Sequence, residues 1–369
     1  MKIVILRNNL KNALDAVSHA LGDSSGLPIL KNVLIKAESG RILLCSTNLE
    51  MAVIRNVAGK LIDEGSITVP FALFNNIVGN IQSERMEISL KGKGIIIKTD
   101  NYEAVIQGLS AEEYPIIPKI DDKSEYLSMT GESFKESLEQ VVSAAQISEL
   151  RPEISGVLFD MEPNSLKLVA TDTFRLAEKT VPTGEFDNKF SKGNRFIIPL
   201  KPIQELLRII DAKNEVKIYV SSGQVMIESE GMEVISRLIE GEFPNYTPII
   251  PKEITTEIVV DKTELNNSLK LASAFTSRGN EVRLKILEGE GVEVYSADSL
   301  LGENRYSIPA KVSGEKIEVC FSWRYMMDGL KSIDGESVII GLQGNIRPSI
   351  LKSSVDKTFF YVLMPIKSS

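Results

Sequence analysis

A threefold internal repeat constrains the fold of this chain more than any other feature of its sequence. Three segments with the pattern of a strand hairpin each end on a short polar signature, at Ser46-Thr-Asn48, Ala170-Thr-Asp172 and Ser296-Ala-Asp298. The last residues of these signatures lie 124 and 126 residues apart along the chain. Self-similarity at a nearly fixed period indicates tandem structural units. The sequence therefore predicts three diverged copies of one unit.

The closing sequences of the copies support the same division. Pro-Ile-Ile-Pro closes the first copy at residues 115–118 and the second at 248–251, and Leu-Met-Pro365 closes the third. A chain of 369 residues is also too long for one ordinary core. We therefore expect three domains, at residues 1–120, 121–251 and 252–369.

Each copy carries two amphipathic helices and a set of short strands. Apolar residues recur at the spacing that buries one face of a helix, and Pro70 and Pro199 stand where the second helices begin. Apolar or alternating runs between the helices, bounded by Gly, Asn and Asp, are typical of strands. Two helices on antiparallel sheets make a two-layer α+β domain. The apolar stripes of the first helices are Leu10, Leu14, Val17 and Leu21; Phe134, Leu138, Val141 and Ala145; and Leu265, Leu269 and Ala272.

The scarcity of histidine and cysteine argues against most enzyme classes. His19 is the only histidine, in a helical segment where we expect a solvated position. Cys45 and Cys320 lie far apart, so a zinc site of the usual Cys/His type cannot be assembled. The sequence also contains no glycine-rich loop of the kind that cradles phosphates. We expect no catalytic residue, metal or cofactor; a hydrolase or transferase is the disfavoured alternative.

The sequence predicts neither a membrane span nor an export signal. No apolar run approaches the length that crosses a bilayer. The first residues, Met1 to Ile5, have the pattern of a strand and precede no small-residue cleavage site. Two thiols in a chain of this size favour a reducing compartment over a disulfide framework. We expect a cytoplasmic protein with no membrane partner.

The net charge of −8 argues against nucleic-acid binding until the copies are compared. Aligning the first helices pairs Lys11 with Lys135. Aligning the second helices pairs basic residues at two positions that lie seven residues apart and therefore share one helix face. These pairs are Lys201 with Arg324 and Arg208 with Lys331. Recurrence at equivalent positions predicts a basic track for phosphates, whereas the alternative is a few ordinary solvated side chains. The first copy has Ala72 and Gly79 at the two second-helix positions. The predicted DNA contacts are Lys11, Lys135, Arg151, Lys201, Arg208, Arg324 and Lys331.

Three further motifs accompany the repeat: Ala170-Thr-Asp-Thr-Phe-Arg-Leu-Ala177, Phe243-Pro-Asn-Tyr246 and Tyr361-Val-Leu-Met-Pro-Ile366. Together with the repeat, and over the whole chain, they resemble the bacterial DNA polymerase III β subunit family, the replication sliding clamps. The resemblance implies a head-to-tail homodimer whose six domains form a ring around duplex DNA. It also implies a processivity factor that tethers the replicative polymerase and slides because it reads no bases. The clamp loader and repair proteins are further implied partners.

The same resemblance implies a hydrophobic pocket between the second and third domains, where partner proteins insert a short peptide. Without the resemblance, plain core would be the expected role of Leu176, Val362 and Met364. The chain has Thr173-Phe174 where the family usually has Gly or Ser followed by His, and it ends on Pro365-Ile-Lys-Ser-Ser369 rather than soon after Met-Pro-Met-Arg. These departures imply a shifted peptide preference. The implied pocket residues are Ile154, Thr171, Phe174, Arg175, Leu176, Pro244, Ile249, Tyr325, Val362, Met364, Pro365 and Ile366.

Ring closure in this family pairs an edge strand of the first domain with one of the third. The resemblance implies that Ala104 and Ile106, with Phe275 across the joint, form the apolar part of this dimer interface. A loop of the first domain that carries a basic residue in the family corresponds here to Asp23-Ser-Ser-Gly26. Weaker contacts of the first domain with DNA follow. The alternative function is a diverged clamp paralogue, or a peptide-binding scaffold that encircles DNA poorly.

Overall fold

The computed structural model describes residues 1–22, 26–276, 279–287 and 291–367. The predicted DNA loop therefore lies outside the described residues at Asp23, Ser24 and Ser25. Within the described ranges each copy contains two α-helices, as predicted. The helices are α1 (Arg7–Ser18), α2 (Phe71–Asn80), α3 (Gly131–Val142), α4 (Leu200–Ile209), α5 (Lys262–Ser273) and α6 (Trp323–Ser332).

The strands repeat in the same order in the three copies. The first copy contains β1 (Lys2–Leu6), β2 (Asn32–Glu38), β3 (Arg41–Thr47), β4 (Met51–Asn56), β5 (Gly59–Asp63), β6 (Gly65–Pro70), β7 (Arg85–Lys91), β8 (Gly94–Lys98) and β9 (Glu103–Gln107). The second contains β10 (Leu127–Thr130), β11 (Gly156–Glu162), β12 (Ser165–Thr171), β13 (Arg175–Val181), β14 (Phe186–Asn188), β15 (Asn194–Pro199), β16 (Glu215–Ser221), β17 (Gln224–Ser229) and β18 (Met232–Arg237). The third contains β19 (Thr256–Asp261), β20 (Glu281–Ile286), β21 (Gly291–Asp298), β22 (Gly302–Gly314), β23 (Glu318–Ser322), β24 (Ser337–Leu342), β25 (Ser349–Ser353) and β26 (Phe359–Leu363).

These strands form three antiparallel sheets, two of which continue from one copy into the next. The strand orders are β5-β1-β7-β8-β9, then β14-β10-β16-β17-β18-β4-β3-β2-β6, then β15-β11-β12-β13-β26-β25-β24-β19-β22-β21-β20-β23. The first junction pairs β18 with β4, with Val234 opposite Val53. The second pairs β26 with β13, with Tyr361 opposite Ala177. Strand β22 serves two neighbours, β21 along its first part and β19 along its last.

The described chain divides into two compact units. One consists of residues 1–132, 187–189 and 205–238, and the other of 133–186, 190–204 and 239–369. In the first unit α1 packs on α2 and on strands β1, β3 and β4. In the second unit α5 packs in the same way on α6 and on strands β19 to β22.

The apolar stripes predicted for the first helices are confirmed as buried faces. Leu10, Phe134 and Leu265 are buried, together with the stripe residues one and two turns further along each helix. Only Leu21 and Ala145 lie beyond the helix ends. The prediction for His19 was wrong in one respect, because its ring is only 26% exposed and its Nδ1 lies 2.5 Å from Oε2 of Glu205.

The polar signature that revealed the repeat forms the same turn in all three copies. The side-chain Oδ1 of Asn48, Asp172 and Asp298 accepts hydrogen bonds from the backbone N–H groups two and three residues further along. Asn and Asp favour such turns because the short side chain reaches its own backbone. The period of the sequence is therefore the period of one turn that ends a β-hairpin strand.

Within the described ranges, no helix has both the length and the apolar character needed to cross a membrane.

Candidate functional site

The turn between β12 and β13 is held rigidly by its own polar side chains. Thr171 Oγ1 donates to the carbonyl oxygen of Arg175 at 2.6 Å and accepts from the N–H of Thr173 at 3.2 Å. Thr173 has a φ of 79°, a left-handed conformation that is uncommon for a Thr. The turn leaves the ring of Phe174 58% exposed, so an aromatic side chain stands at the tip of the hairpin.

Arg175 connects this turn to helix α6. Its Nε donates to Oδ2 of Asp172 at 2.8 Å, and its Nη1 donates to Oδ2 of Asp328 at 2.6 Å. Its guanidinium also lies 4.3 Å from the ring centroid of Tyr325, a cation–π geometry. Burial acts to lower the pKa of Arg175, but Tyr361 and the two carboxylates raise that pKa overall. Arg175 is therefore a permanent cation with no unpaired charge.

An apolar floor lies beside this turn. Leu176 on β13 stands opposite Val362 on β26, and both are completely buried. They belong to one cluster with Ile154, Phe243 and Tyr246, and the two aromatic rings meet edge to face at 6.2 Å. The burial of Leu176 and Val362 agrees with the interpretation that these two residues belong to the core. A ligand at this place would therefore contact the less buried side chains around them.

The C-terminal segment forms one side of the site. The N–H of Met364 donates to the carbonyl oxygen of Phe174 at 2.8 Å, and the N–H of Ile366 donates to that of Cys320 at 2.8 Å. Phe174 and Tyr325 stack at a centroid distance of 6.5 Å. We name this arrangement the socket: a rim of the exposed Phe174 and the half-buried Arg175, Tyr325 and Met364, beside the buried floor of Ile154, Leu176 and Val362.

The socket consists of seven of the residues that the resemblance implied, and two further residues, Asp172 and Asp328, hold its Arg175 in place. Pro244, Pro365 and Ile366 are half-buried, and Ile249 is exposed. Ile250, rather than Ile249, packs against the apolar cluster. Sequence reasoning missed Asp172 as a ligand of Arg175, although its place three residues before Arg175 was a signal. It also missed Asp328, for which no local signal exists.

The predicted DNA contacts lie on helices or in one loop, and all but Lys135 are exposed. Three of them already have carboxylate partners: Arg151 with Glu153 at 3.0 Å, Arg208 with Glu205 at 3.0 Å, and Lys331 with Asp328 at 3.6 Å. The Arg324 guanidinium lies 5.4 Å from the ring of Trp323. Lys11, Lys135 and Lys201 have no ion-pair partner among the described residues. The helix faces are thus basic but partly neutralised.

The prediction for the dimer interface needs a correction on β9. This strand is the last of its sheet, so one of its edges has no neighbour in the described chain. Successive side chains of a strand point to opposite faces. Ile106 is buried in the core of the chain and Ala104 is half-buried, whereas Val105 is 43% exposed. The accessible apolar side chain of this edge is therefore Val105. Phe275 is half-buried near Gly302, where β22 begins.

Known proteins with the same organisation match the chain from end to end. Family models of the DNA polymerase III beta subunit match at residues 1–118 (N-terminal domain), 128–245 (central domain) and 247–367 (C-terminal domain). The beta sliding clamp of Bacillus subtilis is 27% identical over 381 residues, and the match covers both chains completely. The beta sliding clamp of Synechococcus elongatus is 26% identical over 378 residues and is covered to 99%.

Solved structures agree with this assignment. The DNA polymerase sliding clamp of Bacillus subtilis superimposes with a TM-score of 0.94 at 26% identity, and the DNA polymerase III beta subunit of Thermotoga maritima with 0.91 at 25%. Both matches cover the whole of both chains. The chain therefore belongs to the DNA polymerase III beta subunit family.

Proposed function

We propose that this protein is a DNA sliding clamp: two copies form a closed ring of six domains that encircles duplex DNA and tethers the replicative polymerase. The three domains are those expected at residues 1–120, 121–251 and 252–369. Its relatives carry the name sliding clamp, and the free strand edges of this chain support the closed ring. Its role is non-catalytic. Cys45 and Cys320 are both free and buried, which suits a reducing compartment such as the cytoplasm.

The observation that carries the proposal is a pair of strand edges that one chain leaves open. Strands β18 and β26 end their meanders in equivalent positions, and each pairs with the strand that follows a polar turn, β4 or β13. By the same repeat β9 is equivalent to β18, and the first part of β22 is equivalent to β4. Neither β9 nor the first part of β22 has a second neighbour among the described strands. A head-to-tail second copy supplies both, and a closed symmetric assembly removes the hazard of an open edge.

The repeat also predicts the register of this joint. Gly94 and Gln224 are equivalent because each follows a two-residue turn. The residues paired with the positions two further along are Val105 and Ile235, so these two are equivalent. Ile235 stands opposite Ala52. Thr47 and Ala297 are equivalent because each precedes the polar residue of its turn. Their strand partners are Ala52 and Glu303, so Glu303 is equivalent to Ala52. Val105 of one copy then faces Glu303 of the other, and two residues along Glu103 faces Arg305. The second pairing brings opposite charges together across the joint, which favours this register.

The proposal predicts that the protein remains on circular DNA and is lost from linear DNA. After loading by its clamp loader onto nicked circular duplex, it should co-elute with the DNA until a single cut linearises the circle. Because the linkage is topological, the protein can slide off the cut end while its helix faces keep their contacts with DNA phosphates. Gel filtration of labelled protein before and after cutting measures it. Equal retention on both forms would contradict encirclement, and a ring that never loads would favour the diverged scaffold.

The second part of the proposal concerns partners. We propose that the socket receives short peptides of the polymerase catalytic subunit, the clamp loader and repair proteins. An aliphatic floor with an aromatic and Met rim makes an adaptable apolar site for an inserted side chain. The partly neutralised helix faces support the DNA role, because weak, sequence-independent phosphate contacts permit sliding.

Removing basic residues should separate DNA contact from peptide binding. Lys201→Ala with Arg208→Ala should flatten the slope of log affinity against log salt by up to about two per chain, because each phosphate contact contributes about 0.9. Peptide binding should stay unchanged. Deletion of residues 364–369 should weaken peptide binding and leave the salt dependence of DNA binding unchanged. Fluorescence titrations with duplex DNA and with partner peptide check both, and damage to the same activity by both variants would show that helix faces and socket are not separate sites.

A further inference from the structure

A small cavity lies at the junction of the first and second copies, on the pairing of β4 with β18. Its volume is about 80 Å³, and Ala52, Ile116, Ile235 and Arg237 are among the residues that line it. Binding sites for whole small molecules start at about 300 Å³, so this space suits one side chain rather than a cofactor. All of its lining residues belong to the first compact unit.

Five of the seven socket positions have a counterpart that lines the cavity. Met51 and Ala52 take the places of Arg175 and Leu176, because both pairs follow the polar turn by the same number of residues. The strand pairings then make Ile235 equivalent to Val362 and Arg237 equivalent to Met364.

The backbone and the connector repeat it as well. The N–H of Arg237 donates to the carbonyl oxygen of Glu50 at 2.9 Å, as the N–H of Met364 does to that of Phe174 at 2.8 Å. The Pro-Ile-Ile-Pro sequences place Ile116 where the other connector has Ile249.

The chemistry of the two places differs at the rim. At the socket the cation Arg175 is tied to two carboxylates, whereas the Arg237 side chain has no ion-pair partner among the described residues. Ile116 is 94% exposed and Leu49 is 44% exposed, so two large aliphatic side chains stand in water beside this guanidinium. Glu50 is also exposed at the rim and is its one carboxylate. An apolar opening with an unpaired cation fits a ligand that carries both an aliphatic group and a negative charge.

We infer that the junction of the first and second copies is a second peptide-binding groove, specific for a short extended segment with a branched aliphatic residue next to an acidic one. The aliphatic side chain enters the space above Ala52 and Ile235 and is covered by Ile116. The acidic side chain pairs with Arg237. This inference extends to a second place the mode of binding proposed for the socket, so it rests on the proposed function. Each chain then offers two grooves of different preference, and one ring offers four.

Photo-cross-linking of the full-length protein tests the inference. The probe is the acetylated hexapeptide Ser-Asp-Leu-Leu-Asp-Ser with a photo-reactive leucine, and mass spectrometry locates the cross-links. We expect cross-links near residues 47–52, 116 and 235–237 as well as at the socket. Ile116→Ser with Arg237→Glu should lower the first set at least tenfold and leave the second unchanged. Both side chains are exposed, so the variant keeps the fold. Replacing both Asp residues of the probe by Asn should weaken the first set by up to about fivefold.

The outcomes separate the two proposals. Cross-links at the socket alone, or a first set that persists in the double variant, overturn the second groove and leave the socket standing. Cross-links at the first junction alone, unaffected by deletion of residues 364–369, support the second groove and overturn the socket. A probe that cross-links to neither place overturns both.

Discussion

Val105→Pro should convert the dimer into folded monomers that are no longer retained on circular DNA. In an antiparallel pair the N–H groups of alternate residues point to opposite sides of the strand. Gly108 donates to Lys93, and Thr99 donates to Tyr102, which fixes this alternation along β8 and β9. The N–H of Val105 therefore points to the open edge. Proline is tolerated at such a position, but it removes one donor and its ring obstructs the incoming strand.

We expect each joint of the ring to weaken by about 1–3 kcal/mol, because a carbonyl oxygen of the incoming strand loses its donor, which is about 5- to 140-fold in affinity for each joint. Light scattering should then report the 40.7 kDa mass of one chain at concentrations where the parent protein is dimeric. Val105→Thr is the matched control, since it keeps the N–H and the preference for a strand, and it should remain a dimer. An undiminished dimer of Val105→Pro would show that β9 is not the joint.

Arg175→Ala should cost about 3–5 kcal/mol of unfolding free energy, because it leaves a buried carboxylate without its cation. The side chain of Asp172 is only 1% exposed, and Arg175 is its one ion-pair partner among the described residues. The variant also removes the hydrogen bond to Asp328 and the cation–π contact with the ring of Tyr325, which then meets the polar turn only through Phe174. Peptide binding at the socket should therefore fall further than stability alone requires.

Denaturant unfolding of matched variants checks this expectation. Arg195→Ala is the control, since Arg195 is 53% exposed and lies 3.5 Å from Asp160. Such surface pairs contribute about 1 kcal/mol or less. Arg175→Lys keeps a charge but not the two-sided fork of donors, so it should fall between the two. A loss for Arg175→Ala as small as that of the control would show that Asp172 finds another partner.

The sequence carried the information that is local or periodic. The stripe of Leu10 and Leu14 predicted a buried helix face because residues four apart share that face. The signatures ending at Asn48 and Asp172 predicted the repeat, since each forms a turn within a few residues. The basic positions Lys201 and Arg208 could be paired between copies for the same reason, because a helix maps sequence spacing directly onto direction.

Only the tertiary structure decided which groups meet over long separations and which face of a strand is covered. Arg175 and Asp328 are 153 residues apart, and no period links them. The resemblance implied Ala104 and Ile106 for the dimer joint, and nothing local in the sequence marks Ile106 as a residue of the inner face. That face is set by the layer packed against the sheet. The sequence by itself thus determined three copies and their elements, whereas the pairing of their edges, which depends on strands distant in the chain, determined the sites.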